Sequence, residues 1–251
     1  MRILVCNDDG IQAPGLQILR AAARTVSPDV WLVAPERKWT AASHQISFDR
    51  DLTLTRVGDQ EYACSGAPAD GVIAAMTLLL ADGPRPDLVL AGLNDKINVA
   101  EDIAYSGTMA IAREATFWGI PAIGLSRDEV VPPEPSAPDA IGALLRVLWE
   151  ARAQWSDAGH WLSLNLPAQL PAPIVQARVG RDKIGAACAT LERTPERVTF
   201  RLVRGRPGTM GEGDERTVVS AGAIALVRHS WLAGVAPMPQ AIVDGWNRAL
   251  R

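Results

Sequence analysis

The stretch MRILVCNDDG, residues 1–10, sets the expected fold of the chain and its first candidate site. The letters ILVC form a short apolar run ended by turn residues, which is typical of a buried strand in a parallel sheet. Asp8 and Asp9 follow directly, and Gly10 permits the turn that two adjacent acids need if both are to face one ligand. Such a pair on its own is more often a turn than a site. Ligands of open α/β sheets, however, bind at the carboxyl ends of the strands, where this pair falls.

Apolar strand patterns alternate with helical patterns through the first two thirds of the chain. Strands are expected at 3–6, 30–34, 52–57, 87–91, 122–125 and 161–166, and helices at 15–26, 68–81, 107–117 and 139–153. This alternation predicts an α/β fold, in which right-handed crossovers join the strands of a mostly parallel sheet.

The pattern changes after Pro167. Residues 198–205 and 216–231 are predicted to be strands joined by a Gly/Pro-rich turn, and residues 239–251 an amphipathic helix. A two-stranded arm is not stable alone, so it must pack on the core or on another subunit. The expected division is a catalytic core over 1–170, a β-hairpin and oligomerisation arm over 171–235, and a C-terminal helix over 236–251.

Composition narrows the class of protein. The 251 residues are 48% hydrophobic and carry a formal net charge of -3, so no basic surface is expected to bind a nucleic-acid polymer. Three widely spaced cysteines favour a reducing, cytoplasmic location over a disulfide framework or a zinc site. No apolar run is long enough to cross a membrane, and the early acids argue against a secretory signal.

Four polar clusters are expected at the same edge of the sheet: NDDG (7–10), PERKWTAAS (35–43), GLNDKIN (92–98) and YSGT (105–108). Their oxygen donors are Asp8, Asp9, a hydroxyl from Thr40 or Ser43, and an amide oxygen from Asn94 or Asn98. Hard oxygen donors favour Mg²⁺ or Mn²⁺ over zinc.

The segment Ser106-Gly107-Thr108 opens a predicted helix. Free backbone N–H groups, two hydroxyls and the positive end of the helix dipole suit a phosphate there, although Ser106 is about as often a plain N-cap. A metal beside a phosphate cradle suggests phosphoryl transfer by a metal-activated water. Trp39, in a polar loop, is either a platform for a base or a subunit contact.

Five segments together resemble the SurE family of metal-dependent nucleotidases. They are MRILVCNDDGIQAPGLQIL, VAPERKWTAASHQIS, SGAPADGVIAA, PDLVLAGLNDKINVAEDIAYSGTMAIAREA and WLSLNLP. NDDG followed by YSGT is a specific pair. The resemblance implies a Rossmann-like three-layer core with a hairpin arm and a C-terminal helix, through which such chains form homodimers or homotetramers. It also implies hydrolysis of nucleoside 5′- and 3′-monophosphates, and in some members of short polyphosphate, with one Mg²⁺ or Mn²⁺ per subunit.

Carried over position by position, the resemblance assigns a role to each candidate residue. The metal ligands are Asp8, Asp9, Thr40 and Asn94, the phosphate-binding residues are Asn98, Ser106, Gly107 and Thr108, and the catalytic residues are Asp8 and Asp9. A water activated by the metal attacks the phosphorus, and Asp9 is the better candidate for orienting it.

Four positions depart from the family pattern. Lys96 and Ala100 stand where the family has glycine, so we expect altered backbone turns at these two positions. Ala41 also stands where the family has glycine, and Thr40 replaces a serine. The alternative hypothesis is therefore a catalytically weak nucleotide- or phosphate-binding relative with an altered GLNDKIN loop. A dinucleotide-dependent oxidoreductase is disfavoured, because no GxGxxG follows the first strand. A phosphatase with an aspartyl nucleophile is disfavoured because its two aspartates are one residue apart, whereas these are adjacent.

Overall fold

A sheet of nine strands forms the centre of the chain in the computed structural model, which describes residues 1–127, 136–182, 185–205, 211–232, 238–242 and 246. Nine strands belong to this sheet: β1 (Arg2–Cys6), β2 (Asp29–Pro35), β3 (Leu54–Gly58), β4 (Glu61–Cys64), β5 (Leu88–Asn94), β6 (Ala122–Arg127), β7 (His160–Leu166), β8 (Ile174–Gln176) and β11 (Ile224–Ser230). Two more, β9 (Gly185–Arg193) and β10 (Val198–Arg204), form a separate hairpin. The helices are α1 (Pro14–Val26), α2 (Pro68–Ala74), α3 (Asp102–Tyr105), α4 (Gly107–Phe117), α5 (Ala137–Glu150) and α6 (Glu215–Ser220), with a π-helical turn at Ala75–Leu79 and a 3₁₀ turn at Arg152–Gln154. None of the helices in these ranges is long and apolar enough to cross a membrane.

The order of the strands places a crevice beside β1. The order is β3-β4-β2-β1-β5-β6-β7-β11-β8, and the strands from β4 to β7 run parallel. From β1 the chain first builds outward through β2 to β4 and then crosses back to add β5 on the other side. The carboxyl ends of β1 and β5 therefore meet at the point where the strand order reverses, which is the usual ligand position in such sheets.

An apolar core lies on each face of the main sheet, so the chain forms three layers, with the sheet between two layers of helices. Ile3 and Val5 of β1 belong to the core under α1 and α5, whereas Leu4 and Cys6 belong to the core under α2 and α4. Successive residues of a strand point to opposite faces, so a strand that is covered on both faces must be apolar throughout. The predicted α/β fold with a mostly parallel sheet is confirmed.

The second half of the chain differs from the sequence prediction. The predicted pairing of 198–205 with 216–231 is wrong: β10 pairs with β9 as a separate antiparallel hairpin, α6 covers 215–220, and β11 pairs with β7 in the main sheet. Strand β9 is exposed along most of its length, so its sequence lacks the apolar alternation that marks a half-buried strand. The proposed divisions at 170/171 and 235/236 stay predictions, and positions 243–245 and 247–251 of the predicted terminal helix lie outside the described residues.

Candidate metal and phosphate site

The two acids lie at the end of β1, where the backbone turns at once. Asn7 holds the turn, because its side-chain amide donates to the carbonyl of Gly10 at 2.9 Å and its Oδ1 accepts from the Gly10 N–H at 3.2 Å. Gly10 has a φ of +105°, a conformation that favours glycine. The strand has therefore turned within the acidic pair, as the sequence required if both carboxylates are to face one ligand.

Asp8 is fixed against the first turn of α4. The Thr108 hydroxyl donates to Asp8 Oδ1 at 2.7 Å, and a Cβ at Gly107 would lie only 2.7 Å from the Asp8 Cβ. The Asp8 residue is 7% exposed, and this burial raises the pKa of its carboxyl to about 6 against the opposing hydrogen bond from Thr108. The start of α4 thus holds one predicted metal ligand in a single position.

Asp9 makes a different set of contacts. Its Oδ1 lies 2.5 Å from Nζ of Lys38, and its Oδ2 accepts from the Asp95 N–H at 3.3 Å. The same ammonium donates to Asp95 Oδ2 at 2.7 Å. Partial burial opposes the charged form of Lys38, but the two carboxylates outweigh it and raise its pKa. Lys38 and Asp95 were missed in the sequence, because no local pattern brings these two loops together.

The loop after β2 passes beside Asp8. The Trp39 N–H donates to the Asp8 carbonyl at 2.7 Å, which places the exposed Thr40 one residue from this contact. Among the described residues, no hydrogen bond joins the Thr40 hydroxyl to either acid. The alternative hydroxyl, that of Ser43, instead donates to the Ala104 carbonyl at 2.7 Å and so anchors the loop.

The two asparagines of the GLNDKIN loop have different surroundings. The Asn94 amide nitrogen donates to the Lys96 carbonyl at 2.5 Å, which leaves its Oδ1 as the atom available to a cation. Asn98 is buried, and its side-chain nitrogen donates to the Ser126 hydroxyl at 2.8 Å. Asn165 also accepts from the Asn98 N–H at 2.8 Å, so Asn98 ties the loop to β6 and β7. Asn98 is thus committed to contacts within the protein, whereas Asn94 stays the predicted ligand of the two.

The alanines that replace family glycines keep a left-handed backbone. Ala41 has a φ of 55° and Ala100 a φ of 53°. The expected change of turn is therefore wrong at Ala100, and Ala41 likewise keeps the left-handed turn. Glu215, from the start of α6, accepts from the Ala100 N–H at 3.1 Å and helps to hold the second turn. Lys96, the third replacement, is exposed and is not among the described residues with positive φ.

The predicted phosphate-binding segment is the first turn of α4. The Ser106 hydroxyl accepts from the Met109 N–H at 3.1 Å and is the N-cap of this helix. Thr108 gives its hydroxyl to Asp8, so the side chains of both residues are engaged within the protein. The N–H groups of Gly107 and Thr108 have no partner within the helix and are the donors that an anion could use.

The donor set fits a hard divalent cation. Within the described residues, no cluster of three or more His, Cys, Asp or Glu side chains has the arrangement of a metal site. Two carboxylates with an amide oxygen and a hydroxyl are oxygen ligands throughout, which suits Mg²⁺ or Mn²⁺. The ammonium already seated on Asp9 is direct evidence that this position accommodates positive charge.

Comparison with known proteins agrees with this geometry. Residues 3–186 match the sequence profile of the family described as "Survival protein SurE". The chain belongs to the SurE family. It is 40% identical over 195 residues to the 5′-nucleotidase SurE of Paramagnetospirillum magneticum, over 74% of this chain and 72% of that protein. It is 43% identical over 196 residues to the 5′-nucleotidase SurE of Azorhizobium caulinodans, over 73% of this chain and 74% of that protein.

A solved SurE structure has the same fold. The SurE protein from Aquifex aeolicus superposes with a TM-score of 0.73 at 25% identity, over 92% of this chain and 93% of that one. The SurE fold therefore extends beyond the segments on which the sequence resemblance rested, and it includes most of the second half of the chain.

Proposed function

We propose that this SurE-family chain is a metal-dependent 5′-nucleotidase, a hydrolase of phosphoric monoesters. The observation that carries the proposal is the placement of Asp8 and Asp9 at the reversal of strand order, with the start of α4 packed against Asp8. The names of two relatives at 40% and 43% identity support the same activity.

The four predicted ligands are proposed to hold one Mg²⁺ or Mn²⁺. Asp8 and Asp9 would supply carboxylate oxygens, Asn94 its Oδ1, and Thr40, which follows the residue bonded to the Asp8 carbonyl, its hydroxyl. A divalent cation bound there would neutralise phosphate charge and lower the pKa of a bound water so that it could attack at neutral pH. Asp9, which is less enclosed than Asp8, would orient the attacking water.

The substrate phosphate is proposed to sit at the start of α4. The N–H groups of Gly107 and Thr108 donate to its oxygens, and the cap made by Ser106 fixes their direction. Asn98 adds the proton of its side-chain nitrogen that Ser126 does not use. Nucleoside 3′-monophosphates and short polyphosphate present the same terminal phosphate and are proposed as further substrates.

A second copy of the chain is the proposed partner. The β9–β10 hairpin exposes several large apolar side chains, which a lone subunit leaves in water: Leu191, Val198, Phe200, Leu202 and Val203. Burying them in a homodimer or homotetramer, together with the terminal helix, would stabilise the arm.

The three cysteines are free, and the cytoplasmic location stays a prediction.

Release of phosphate from nucleoside monophosphates tests the proposal. The purified chain is assayed with Mn²⁺ or Mg²⁺, with EDTA, and as Asp8→Asn. We expect hydrolysis that requires the metal and is lost in the variant. Activity that persists after both chelation and the substitution would contradict the mechanism. Tight nucleotide binding without phosphate release under either metal would instead support the alternative, a catalytically weak binding protein.

A further inference from the structure

Lys38 contacts one of the two Asp9 oxygens through which a metal could bind. Its Nζ lies 2.5 Å from Asp9 Oδ1 and 2.7 Å from Asp95 Oδ2. We propose that Lys38, tethered by Asp95, is an internal cation that competes with the metal for Asp9. In the metal-free protein the ammonium holds this carboxylate, and a divalent cation must displace it before Asp9 can act as a ligand. The inference rests on the metal site of the proposed function.

The charges of the site explain why a cation is held there. Asp8 and Asp9 are adjacent in sequence, so two carboxylates lie close together at the end of β1. The Asp9 side chain is only 8% exposed, so little water is available to stabilise its charge. Without a metal, the ammonium of Lys38 is the counter-charge in direct contact with Asp9. The protein itself thus supplies a counter-charge to Asp9 in the metal-free site.

Two cations cannot share Asp9 Oδ1 without repulsion. A Mg²⁺ or Mn²⁺ ligand bond is about 2.1 Å long. With Nζ already 2.5 Å from the same oxygen, the two cations would lie within roughly 5 Å of each other, where like charges repel strongly. Binding the metal through this oxygen therefore requires that Lys38 move away.

The exposure of the three side chains allows this movement. The side chains of Lys38 and Asp95 are 47% and 51% exposed, whereas that of Asp9 is nearly enclosed. Lys38 reaches in from solvent, so it can leave Asp9 without any change in the packed core. Asp95 lies on the solvent side and gives the displaced ammonium a partner that it already contacts.

Arg37 provides a matched control. It is the neighbouring residue and carries the same charge, but its guanidinium lies over the Trp39 ring, 4.8 Å from the ring centre. Replacing Arg37 removes one positive charge from the same loop and leaves the contact with Asp9 in place. Comparing Lys38→Met with Arg37→Met therefore separates the effect of the ammonium contact with Asp9 from the effect of removing one positive charge from the loop.

Isothermal titration of Mn²⁺ into the metal-stripped protein, without substrate, tests the inference. We expect Lys38→Met to tighten the dissociation constant by about tenfold, the effect of a charge-assisted hydrogen bond that no longer has to be broken. We expect Arg37→Met to change the dissociation constant by less than about threefold, because an exposed charge that does not contact the acids affects them only weakly.

Several results would overturn the inference. They are an unchanged or weaker dissociation constant in Lys38→Met, an equal gain in Arg37→Met, and no Mn²⁺ binding by any form. Phosphate release by the wild type is measured separately. Mn²⁺-dependent turnover with an unchanged dissociation constant in Lys38→Met would refute the inference and leave the proposed function standing. Tighter Mn²⁺ binding in Lys38→Met without turnover by the wild type would support the inference and contradict the proposed function.

Discussion

Replacing Gly107 by alanine is expected to displace Asp8 while leaving the fold intact. The new Cβ would lie 2.7 Å from the Asp8 Cβ and 2.9 Å from its Oδ2. Carbon atoms in contact normally stay about 3.5 Å or more apart, so the carboxylate must retreat by roughly 0.8 Å. Asp8 is buried and bonded to Thr108, and it therefore cannot retreat without changing its own geometry.

The size of the effect follows from this displacement. A misplacement near 1 Å in a catalytic site lowers the rate by about 10²-fold, or about 2.7 kcal/mol of transition-state stabilisation. Stability should change less. Alanine in a helix gains up to about 1 kcal/mol over glycine, which partly offsets about 1–3 kcal/mol of overpacking.

The assay compares Gly107→Ala with a second alanine substitution in a helix. A Cβ at Gly142 in α5 would lie 2.0 Å from the Thr25 hydroxyl of α1, far from the acids in the fold. We expect Gly142→Ala to lower the melting temperature and leave kcat/KM for a nucleoside monophosphate unchanged. Gly107→Ala should lower kcat/KM by about 10²-fold and change the melting temperature less than Gly142→Ala does. Full activity in Gly107→Ala, or an equal loss of activity in both variants, would refute the reasoning that Asp8 must stay against α4.

Three further predictions concern single contacts. Thr108→Val removes the hydroxyl that donates to Asp8, and calorimetric titration should show Mn²⁺ binding weakened about tenfold, with Thr108→Ser close to wild type. Glu215→Leu leaves the Ala100 N–H without its acceptor, so urea denaturation should show about 1–3 kcal/mol lost; Glu215→Gln, which keeps an oxygen there, should lose less. Burial, aided by a nearby arginine, lowers the pKa of His229 to about 4 from an ordinary 6.5. The unfolded chain therefore binds a proton that the folded chain does not, so the contribution of His229 to stability should fall by about 3 kcal/mol between pH 6.5 and pH 4. Denaturation curves check this as the difference between the wild type and His229→Gln at each pH.

The sequence by itself determined the central sheet and the position of the acids. Strands β1 and β5 are covered on both faces, so they must be apolar along most of their length. Such runs can be recognised from the local sequence alone. The acids follow β1 directly, and strand ends of a parallel sheet share one edge. Local pattern therefore sufficed for the class of fold and for the candidate ligands.

Tertiary structure alone decided which groups meet at the site. Lys38 and Asp95 are 57 residues apart, and Ala100 and Glu215 are 115 residues apart. Such contacts depend on how loops from separate strands converge, and no periodicity in the sequence records that convergence. Strand β9 of the hairpin was missed for a related reason, since it is exposed along most of its length and shows no apolar alternation, whereas β10 was predicted as a strand but with the wrong partner. The sequence placed Asp8 and Asp9 at the sheet edge, and only the folded chain brought Lys38 onto Asp9, because a charge pair forms wherever geometry joins two loops.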